Sequence, residues 1–379
     1  MTAINTRDAD TKLYRPAKPA AQELQIVAAD IGNVNTKFRR RGEFWALEPS
    51  LVRAAPDRQT YNFNSTRPIY PLVYCEGPAG IEPNVPYLVG YDAQRAGVAE
   101  SSLIGSSELR MHSSSYLLLH LYAIINSLPD GVTSARVAFA GGLPVEDYSN
   151  PVVKETLRQR LTGKLRKDHK ATPHILRWGD QEYVIIIERT GFVPQPIGAL
   201  ATLMFESDGR VRSNGTMLRA RYALDIGGGT TDYTGRIGLQ AIPGTEGGVR
   251  LGVHDAAAIA RQRIQQRFPS LRNLDDGQVL QLLRDGVSTV YVRGEPNDVS
   301  GELQYGLREV SFSILGHVLP KWERTLSQGE VILCGGGGQI MHKTIGETLG
   351  SITKVTLLSE PVFRVADGIE RLAQYRMDH

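Results

Sequence analysis

The chain of 379 residues is 41% hydrophobic and 22% charged, with a formal net charge of +3, which is ordinary for a globular protein with room for two domains. The near-neutral charge argues against direct binding of nucleic acid, because phosphate-driven affinity needs clustered Lys and Arg, and no apolar run approaches the ~20 residues of a membrane span. The N-terminus lacks a signal-peptide core and the only cysteines are Cys75 and Cys334, so we expect a cytoplasmic protein without disulfides, a zinc site or a membrane partner.

The N-terminal part of the chain divides into a tail, a meander and an insertion. Residues 1–23 are polar and lack periodicity, which predicts a disordered extension. The next segments predict a meander of three strands, over 24–30, 36–40 and 44–47. Residues 48–112 are rich in Pro, Gly, Tyr and Ser, which predicts a small inserted subdomain of strands and loops.

The first strand of the meander ends in a glycine turn that reads D-I-G-N-V-N-T-K over 30–37. A turn of this kind lets backbone N–H groups face an anion, because Gly permits close approach and unusual backbone angles. The candidate binding residues are Asp30, Gly32, Asn33, Asn35, Thr36 and Lys37. Lys37 either reaches a phosphate as a point charge or is a surface lysine at a strand edge.

The middle of the chain alternates helices and strands. The patterns predict helices over 113–126 and 150–161 and strands over 136–140 and 183–188. The basic run 164–170 is either a solvated surface or a polymer contact. Gln195 lies between two prolines within 193–200. It is either a turn residue that faces solvent or a functional residue.

A second glycine turn, D-I-G-G-G-T-T-D over 225–232, repeats the first about half a chain later. Two matched turns, each after an apolar run, are harder to explain by turn chemistry than one. Facing each other, they would bind a nucleotide polyphosphate between two lobes, with Asp30 and Asp225 near its bound metal. The second set of candidates is Asp225, Gly227, Gly228, Gly229, Thr230 and Thr231.

The C-terminal part holds two further glycine-rich segments. The first, 244–252, enters a helix predicted over 253–268, and its Gly247 and Gly248 either contact a base or ribose or only begin that helix. The second follows a strand predicted over 331–333 and includes Gly335, Gly336 and Gly337, which would let a nucleoside lie flat on the backbone. Further helices are predicted over 275–283, 303–322 and 339–348, and a last helix opens within 361–369.

The order of these motifs resembles that of the actin, heat-shock chaperone and sugar kinase superfamily, from residue 24 to the end. The resemblance implies an α/β fold with two actin-like lobes, a duplicated ribonuclease H-like core, and a cleft that binds Mg2+ with ATP or GTP. It implies a first lobe over 24–215 that contains the 48–112 insertion. It implies a second lobe over 216–379 with a helical insertion over 246–324.

The resemblance also implies catalytic roles for Gln195, Asp225 and Asp30, with both aspartates near Mg2+. Position 195 is where the superfamily carries the residue that orients the attacking water. Plasmid actins often have Glu there, whereas actin has Gln, as this chain does. An amide can hold a water through one donor and one acceptor, but it cannot accept the proton.

Three segments resemble the ParM/StbA plasmid-segregation family in particular. They are V-G-x-x-A within 87–93, G-L-P within 141–144 and P-x-x-x-x-A-x-G within 361–368. This implies an ATPase that assembles head to tail into filaments, joined to DNA by a small DNA-binding adaptor. The alternatives are a small-molecule kinase, for which no convincing Asp base is found, and a chaperone-like ATPase switch, for which no peptide-binding region follows.

Overall fold

Two β-sheets of unequal size carry the fold of the computed structural model, which describes residues 23–55, 69–97, 107–164, 169–213 and 218–378. Of the predicted N-terminal extension only Glu23 falls within these ranges, and residues 165–168 of the basic run lie outside them. No helix in these segments is long and apolar enough to cross a membrane.

The first sheet has nine strands, in the order β3-β2-β1-β7-β9-β8-β5-β6-β4. The predicted meander is confirmed, since β1 pairs with β2 and β2 with β3, both antiparallel. The predicted insertion is not separate from this sheet, because β5 pairs with β8 and extends it. The strands are β1 Leu24–Ile31, β2 Asn35–Arg40, β3 Phe44–Pro49, β4 Val52–Ala54, β5 Leu72–Glu76, β6 Pro86–Val89, β7 Ser134–Leu143, β8 His174–Trp178 and β9 Gln181–Pro194.

Six helices accompany this sheet in the described residues. They are α1 Tyr91–Arg95, α2 Ser107–His112, α3 Ser114–Ser127, α4 Val145–Ser149, α5 Pro151–Thr162 and α6 Gln195–Met204. Helix α3 is apolar on all sides and is buried from Tyr116 onward, as expected for a helix inside a domain. Helix α5 begins as predicted, with the Asn150 side chain capping its first turn and Pro151 at its first position.

The second sheet has six strands, with β12-β11-β10-β16-β17 in order and β13 paired to β11. Its strands are β10 Ala220–Ile226, β11 Thr231–Ile237, β12 Gln240–Ala241, β13 Gly247–Val249, β16 Glu330–Cys334 and β17 Lys354–Leu357, and a separate hairpin joins β14 Thr289–Val292 to β15 Glu295–Asp298. The helices are α7 Val253–Arg267, α8 Asp276–Asp285, α9 Ser300–Leu326, α10 Gly335–Leu349 and α11 Arg364–Asp378, with a 3-10 turn at Pro269–Leu271.

The two sheets are built on the same plan. Strand β1 pairs antiparallel with β2 and parallel with β7, and β10 pairs in the same way with β11 and β16. The registers are equivalent as well. Asp30 lies opposite Lys37 in the first hairpin, and Asp225 lies opposite Asp232 in the second. The repeat seen in the sequence is therefore a structural duplication.

Helix α11 returns to the first lobe, although the division at residue 216 assigns it to the second. Arg39 of β2 forms an ion pair of 2.7 Å with Glu370 of α11. The apolar side of α11 is buried in a cluster that also includes α6 and Ile332 of the second sheet. Because this apolar side packs there, α11 lies across both lobes and joins their cores.

Helices α6 and α11 cross in direct backbone contact. A Cβ on Gly368 would lie 1.7 Å from the carbonyl oxygen of Gly198, and a Cβ on Gly198 would lie 2.7 Å from the carbonyl oxygen of Val365. Only glycine permits so close an approach at these positions. The two glycines therefore set how closely α6 and α11 approach each other.

Candidate functional site

A cavity of about 660 Å3 lies between the two sheets, where β1 and β10 end. Both glycine turns and the glycine run after β16 form its walls. It brings together most of the residues that the sequence singled out, namely Gly32, Asn33, Asn35, Lys37, Gln195, Asp225, Gly227, Gly228, Gly229, Thr230, Gly335, Gly336 and Gly337. Residues more than 300 positions apart in the chain therefore share one site.

The two turns close in the same way and touch each other across the cavity. The N–H of Gly32 donates to the carbonyl oxygen of Asn35 at 3.0 Å, and that of Gly227 donates to Thr230 at 2.8 Å. A Cβ on Gly228 would lie 2.6 Å from a methyl carbon of Val34, whereas a Cβ on Gly229 would meet nothing within 4 Å. Gly228 thus allows the turns to approach, and Gly229 leaves open space.

Asp30 lies beneath the cavity, where it organises the floor. It is only 1% exposed. Its Oδ2 accepts a hydrogen bond of 2.8 Å from Lys37 Nζ, and its Oδ1 accepts one of 2.7 Å from Gln195 Nε2. The side chain of Lys37 is 17% exposed, and Gln195 is 8% exposed. The alternatives that Lys37 is a surface lysine and that Gln195 faces solvent are therefore wrong.

Two carboxyl groups of the second lobe, Asp225 and Asp232, have raised pKa values, because nearby positive charge does not offset their burial. Burial, helped by the charge of Asp30 and opposed by Lys37, raises the pKa of Asp225 to about 6. Burial also raises the pKa of Asp232 to about 7, although the N–H of Val145 donates to its Oδ1 at 2.7 Å. Burial lowers the pKa of Lys37, but the Asp30 carboxylate outweighs this and the pKa is raised overall. A cation bound beside Asp225 would stabilise its ionised form.

The glycine run after β16 belongs to a helix and not to a loop. Helix α10 begins at Gly335, four residues before the predicted start. Cβ atoms on Gly335 and Gly337 would lie 2.4 Å from the Ile226 carbonyl oxygen and 2.6 Å from an Ile226 methyl carbon, while one on Gly336 would meet nothing within 4 Å. Two of these glycines therefore let α10 pack on the end of β10, and Gly336 is the one with open space beside it.

Besides Asp30, four of the predicted binding residues do not line the cavity. The hydroxyl of Thr36 shares a hydrogen bond of 3.0 Å with Ser50, and that of Thr231 donates to the Leu251 carbonyl at 2.8 Å. Gly247 and Gly248 lie on β13, where they pair with β11. A Cβ on Gly247 would lie 2.6 Å from the Tyr233 hydroxyl. These residues therefore make structural contacts outside the cavity, next to the two turns.

The sequence interpretation did not select several residues that line the cavity. Asp232 could have been found from the repeat, since it is the counterpart of Lys37. Arg110 reaches the cavity from α2, and no local motif marks it. A further wall comes from the start of α7 and the end of α8, with His254, Leu280, Leu283, Arg284, Asp285 and Gly286.

The site is suited to a polyanion that carries a cation. Two glycine turns supply backbone N–H groups, Lys37 and Arg110 supply positive charge, and Asp225 supplies a carboxylate oxygen. This combination matches the needs of a polyphosphate with a divalent metal. The half-apolar wall at α8, with Leu280 and Leu283, is suited to a flat ring.

Two family models match successive parts of the chain. The model described as the N-terminal domain of actin-like proteins matches residues 28–198. The model described as the C-terminal part of an archaeal, MreB-like actin homologue matches residues 223–347. No curated protein sequence matches the chain. The unmatched residues 199–222 include most of the passage from β9 of the first sheet to β10 of the second.

Solved structures show the same fold at low sequence identity. The archaeal actin homologue Ta0583 is 16% identical, with a TM-score of 0.71 over 93% of this chain and 99% of that one. Ta0583 has also been solved in complex with ADP, at 16% identity and a TM-score of 0.66 over 92% and 99% of the chains. A 15-stranded ParM filament from Clostridium botulinum is 18% identical, with a TM-score of 0.69 over 94% and 100%.

Proposed function

The chain belongs to the actin-like proteins, and on that premise we propose that it binds ATP or GTP with Mg2+ between its lobes, hydrolyses the nucleotide and assembles into filaments. The observation that carries the proposal is the pair of equivalent glycine turns that face each other across one cavity, above Asp30 and Asp225. The complex of Ta0583 with ADP supports nucleotide binding by a protein of this fold.

The residues present fit Mg2+ as a partner of the nucleotide. Mg2+ in such sites usually needs only one or two protein carboxylates, with phosphate and water as its other ligands. Asp225 lines the cavity, whereas Asp30 is already bonded to Lys37 and Gln195. We therefore assign Asp225 the closer contact to the ion, directly or through water, and Asp30 a contact through its neighbours. The ion would neutralise charge on the phosphates.

Gln195 is proposed to orient the water that attacks the terminal phosphate. It is the first residue of α6, and its Nε2 is fixed by Asp30. The Oε1 of the same amide is then the group that accepts a hydrogen bond from water. A glutamate at this position could not donate to Asp30, so the amide suits this site better than the acid common in plasmid actins.

Replacing Gln195 with alanine should slow hydrolysis about tenfold or more, on the scale of a positioning residue, while affinity for the nucleotide changes little. Phosphate release at saturating nucleotide and titration calorimetry measure the two quantities. Gln159→Ala is the matched control, because the amide of Gln159 donates to Glu155 on the outer face of α5. A large loss of affinity with normal turnover would show that Gln195 only builds the turn.

Assembly follows from the way a cleft protein responds to its ligand. A triphosphate that bridges both turns favours the closed arrangement of the lobes. Identical subunits joined head to tail then extend into a helical filament unless their rotation closes a ring. The ParM filament from C. botulinum supports filament assembly by a protein of this fold. We further propose that the filament segregates plasmid or other DNA in the cytoplasm, through a small DNA-binding adaptor.

Purified protein should sediment with triphosphate above a critical concentration and return to the supernatant after hydrolysis. Loss of the γ-phosphate removes contacts that hold the lobes together, so the diphosphate polymer is less stable. Sedimentation and electron microscopy with ATP, GTP, ADP and no nucleotide test this result. A protein that stays monomeric with a non-hydrolysable triphosphate, yet phosphorylates a small metabolite, would belong to the kinase branch instead.

A further inference from the structure

Arg110 is a cationic side chain at the cavity that none of the sequence motifs marks. It lies near the end of α2, a short helix within the predicted insertion, and is 9% exposed. Its guanidinium lies 5.7 Å from the centre of the Tyr116 ring. Arg110 nevertheless lines the same cavity as both glycine turns. Its charge is thus directed inward.

The guanidinium of Arg110 is shared between two acceptors. One terminal nitrogen donates to Asn33 Oδ1 of the first turn at 2.8 Å, and the other donates to Asp147 Oδ2 of α4. Within the described residues, Arg110 Nε and Asp147 Oδ1 are both buried without a hydrogen-bond partner. An arginine and a carboxylate often pair through two parallel hydrogen bonds. Arg110 instead makes one hydrogen bond to Asp147 and one to Asn33.

Arg110 also connects the first turn to the second lobe. Asp147 lies on α4, whose first N–H, that of Val145, donates to Asp232 of the second hairpin at 2.7 Å. Arg110 is therefore linked to Asn33 directly and to Asp232 through α4. Lys37 is held by Asp30, and Arg284 lies on the α8 wall. The contact of Arg110 on the side of the first turn is a neutral amide.

We propose that Arg110 binds the terminal phosphate of a bound nucleoside triphosphate, exchanging the Asn33 amide oxygen for a phosphate oxygen. This inference rests on the proposed nucleotide-binding function and names the residue that distinguishes triphosphate from diphosphate. The exchange is favourable because a hydrogen bond to an anionic oxygen is about twice as strong as one to a neutral oxygen.

The test compares affinity for a triphosphate with affinity for a diphosphate. The probes are the non-hydrolysable analogue AMP-PNP and ADP, each with Mg2+, or GMP-PNP and GDP if the wild type prefers guanine. Arg110→Gln should weaken AMP-PNP binding about 10- to 100-fold, the scale of a lost charged hydrogen bond, with ADP binding changed less than about threefold. Arg110→Lys should recover part of the loss, because it restores the charge without the fork.

Arg160→Gln is the matched control for a purely structural role. Arg160 lies on α5 and donates to the carbonyl oxygens of Met111 and Ala79. It therefore anchors the end of α2 without lining the cavity. If Arg160→Gln lowers the AMP-PNP to ADP affinity ratio as much as Arg110→Gln does, or if Arg110→Gln leaves that ratio unchanged, the inference is overturned. Wild-type protein that binds neither nucleotide would instead refute the proposed function itself.

Discussion

Replacing Asp225 with alanine is expected to lower nucleotide turnover at least about 100-fold, because a catalytic metal ion contributes several kcal/mol to transition-state stabilisation. Asp225 is the carboxylate that lines the cavity at the end of β10, within reach of the charges of Asp30 and Lys37. Steady-state phosphate release at saturating Mg2+ and nucleotide measures the effect. Wild-type turnover in this variant would remove Asp225 from the site.

Asp225→Ala could also lose turnover because the chain unfolds. The Asp225→Asn variant distinguishes unfolding from loss of the metal contact. The pKa of Asp225 in the folded chain lies near 6, above its ordinary value of 3.8. The nucleotide-free fold therefore loses stability from this group as the pH rises from about 4 through 6. Asparagine carries no charge, so at pH 8 the Tm of the nucleotide-free variant should equal or exceed that of the wild type. Asp130→Ala, at an exposed ion pair with Arg41, is the control for turnover.

A second large effect is expected at the crossing of α6 and α11, where Gly368→Val should lower the free energy of unfolding by roughly 3 kcal/mol or more. The new Cβ would lie 1.7 Å from the Gly198 carbonyl oxygen and 3.1 Å from the Ala201 methyl group. Neither contact is relieved by a rotamer change, because the backbone alone sets the position of a Cβ atom. The two helices must separate.

Urea denaturation of the nucleotide-free protein measures this effect. Gly316→Ala on α9 is the control, because it is also a glycine within a helix but its Cβ would meet nothing within 4 Å. We expect that variant to gain about 0.5–1 kcal/mol, since alanine favours helix more than glycine does. A Gly368→Val chain as stable as the wild type would show that the helices are not packed as described.

Local patterns were enough to predict the elements that the two halves share. The meander, the two glycine turns and the strand before Gly335 each have a signal within about ten residues, because strand periodicity and turn chemistry are local. The repeat also placed Asp30 and Asp225 at equivalent positions. These features form the floor of the cavity. Their order along the chain also carries the resemblance that predicts the two-lobed fold.

Features that depend on distant packing were not predicted. Arg110 reaches the cavity only because α2 packs beside the first turn. The start of α10 at Gly335 depends on contact with Ile226, and the return of α11 to the first lobe depends on an apolar cluster built from both sheets. Gly247 gave the same signal as a binding glycine, yet its missing side chain makes room for Tyr233. A glycine in a sequence does not reveal which atoms approach it.

The duplicated hairpins carry opposite charges at matching positions. Asp30 faces Lys37 in one half, while Asp225 faces Asp232 in the other. The two hairpins thus share one backbone plan, but the electric field is not the same on the two sides of the cleft. One difference between the two copies of the hairpin, Lys37 in the first and Asp232 in the second, is enough to make the electric field of the cleft asymmetric.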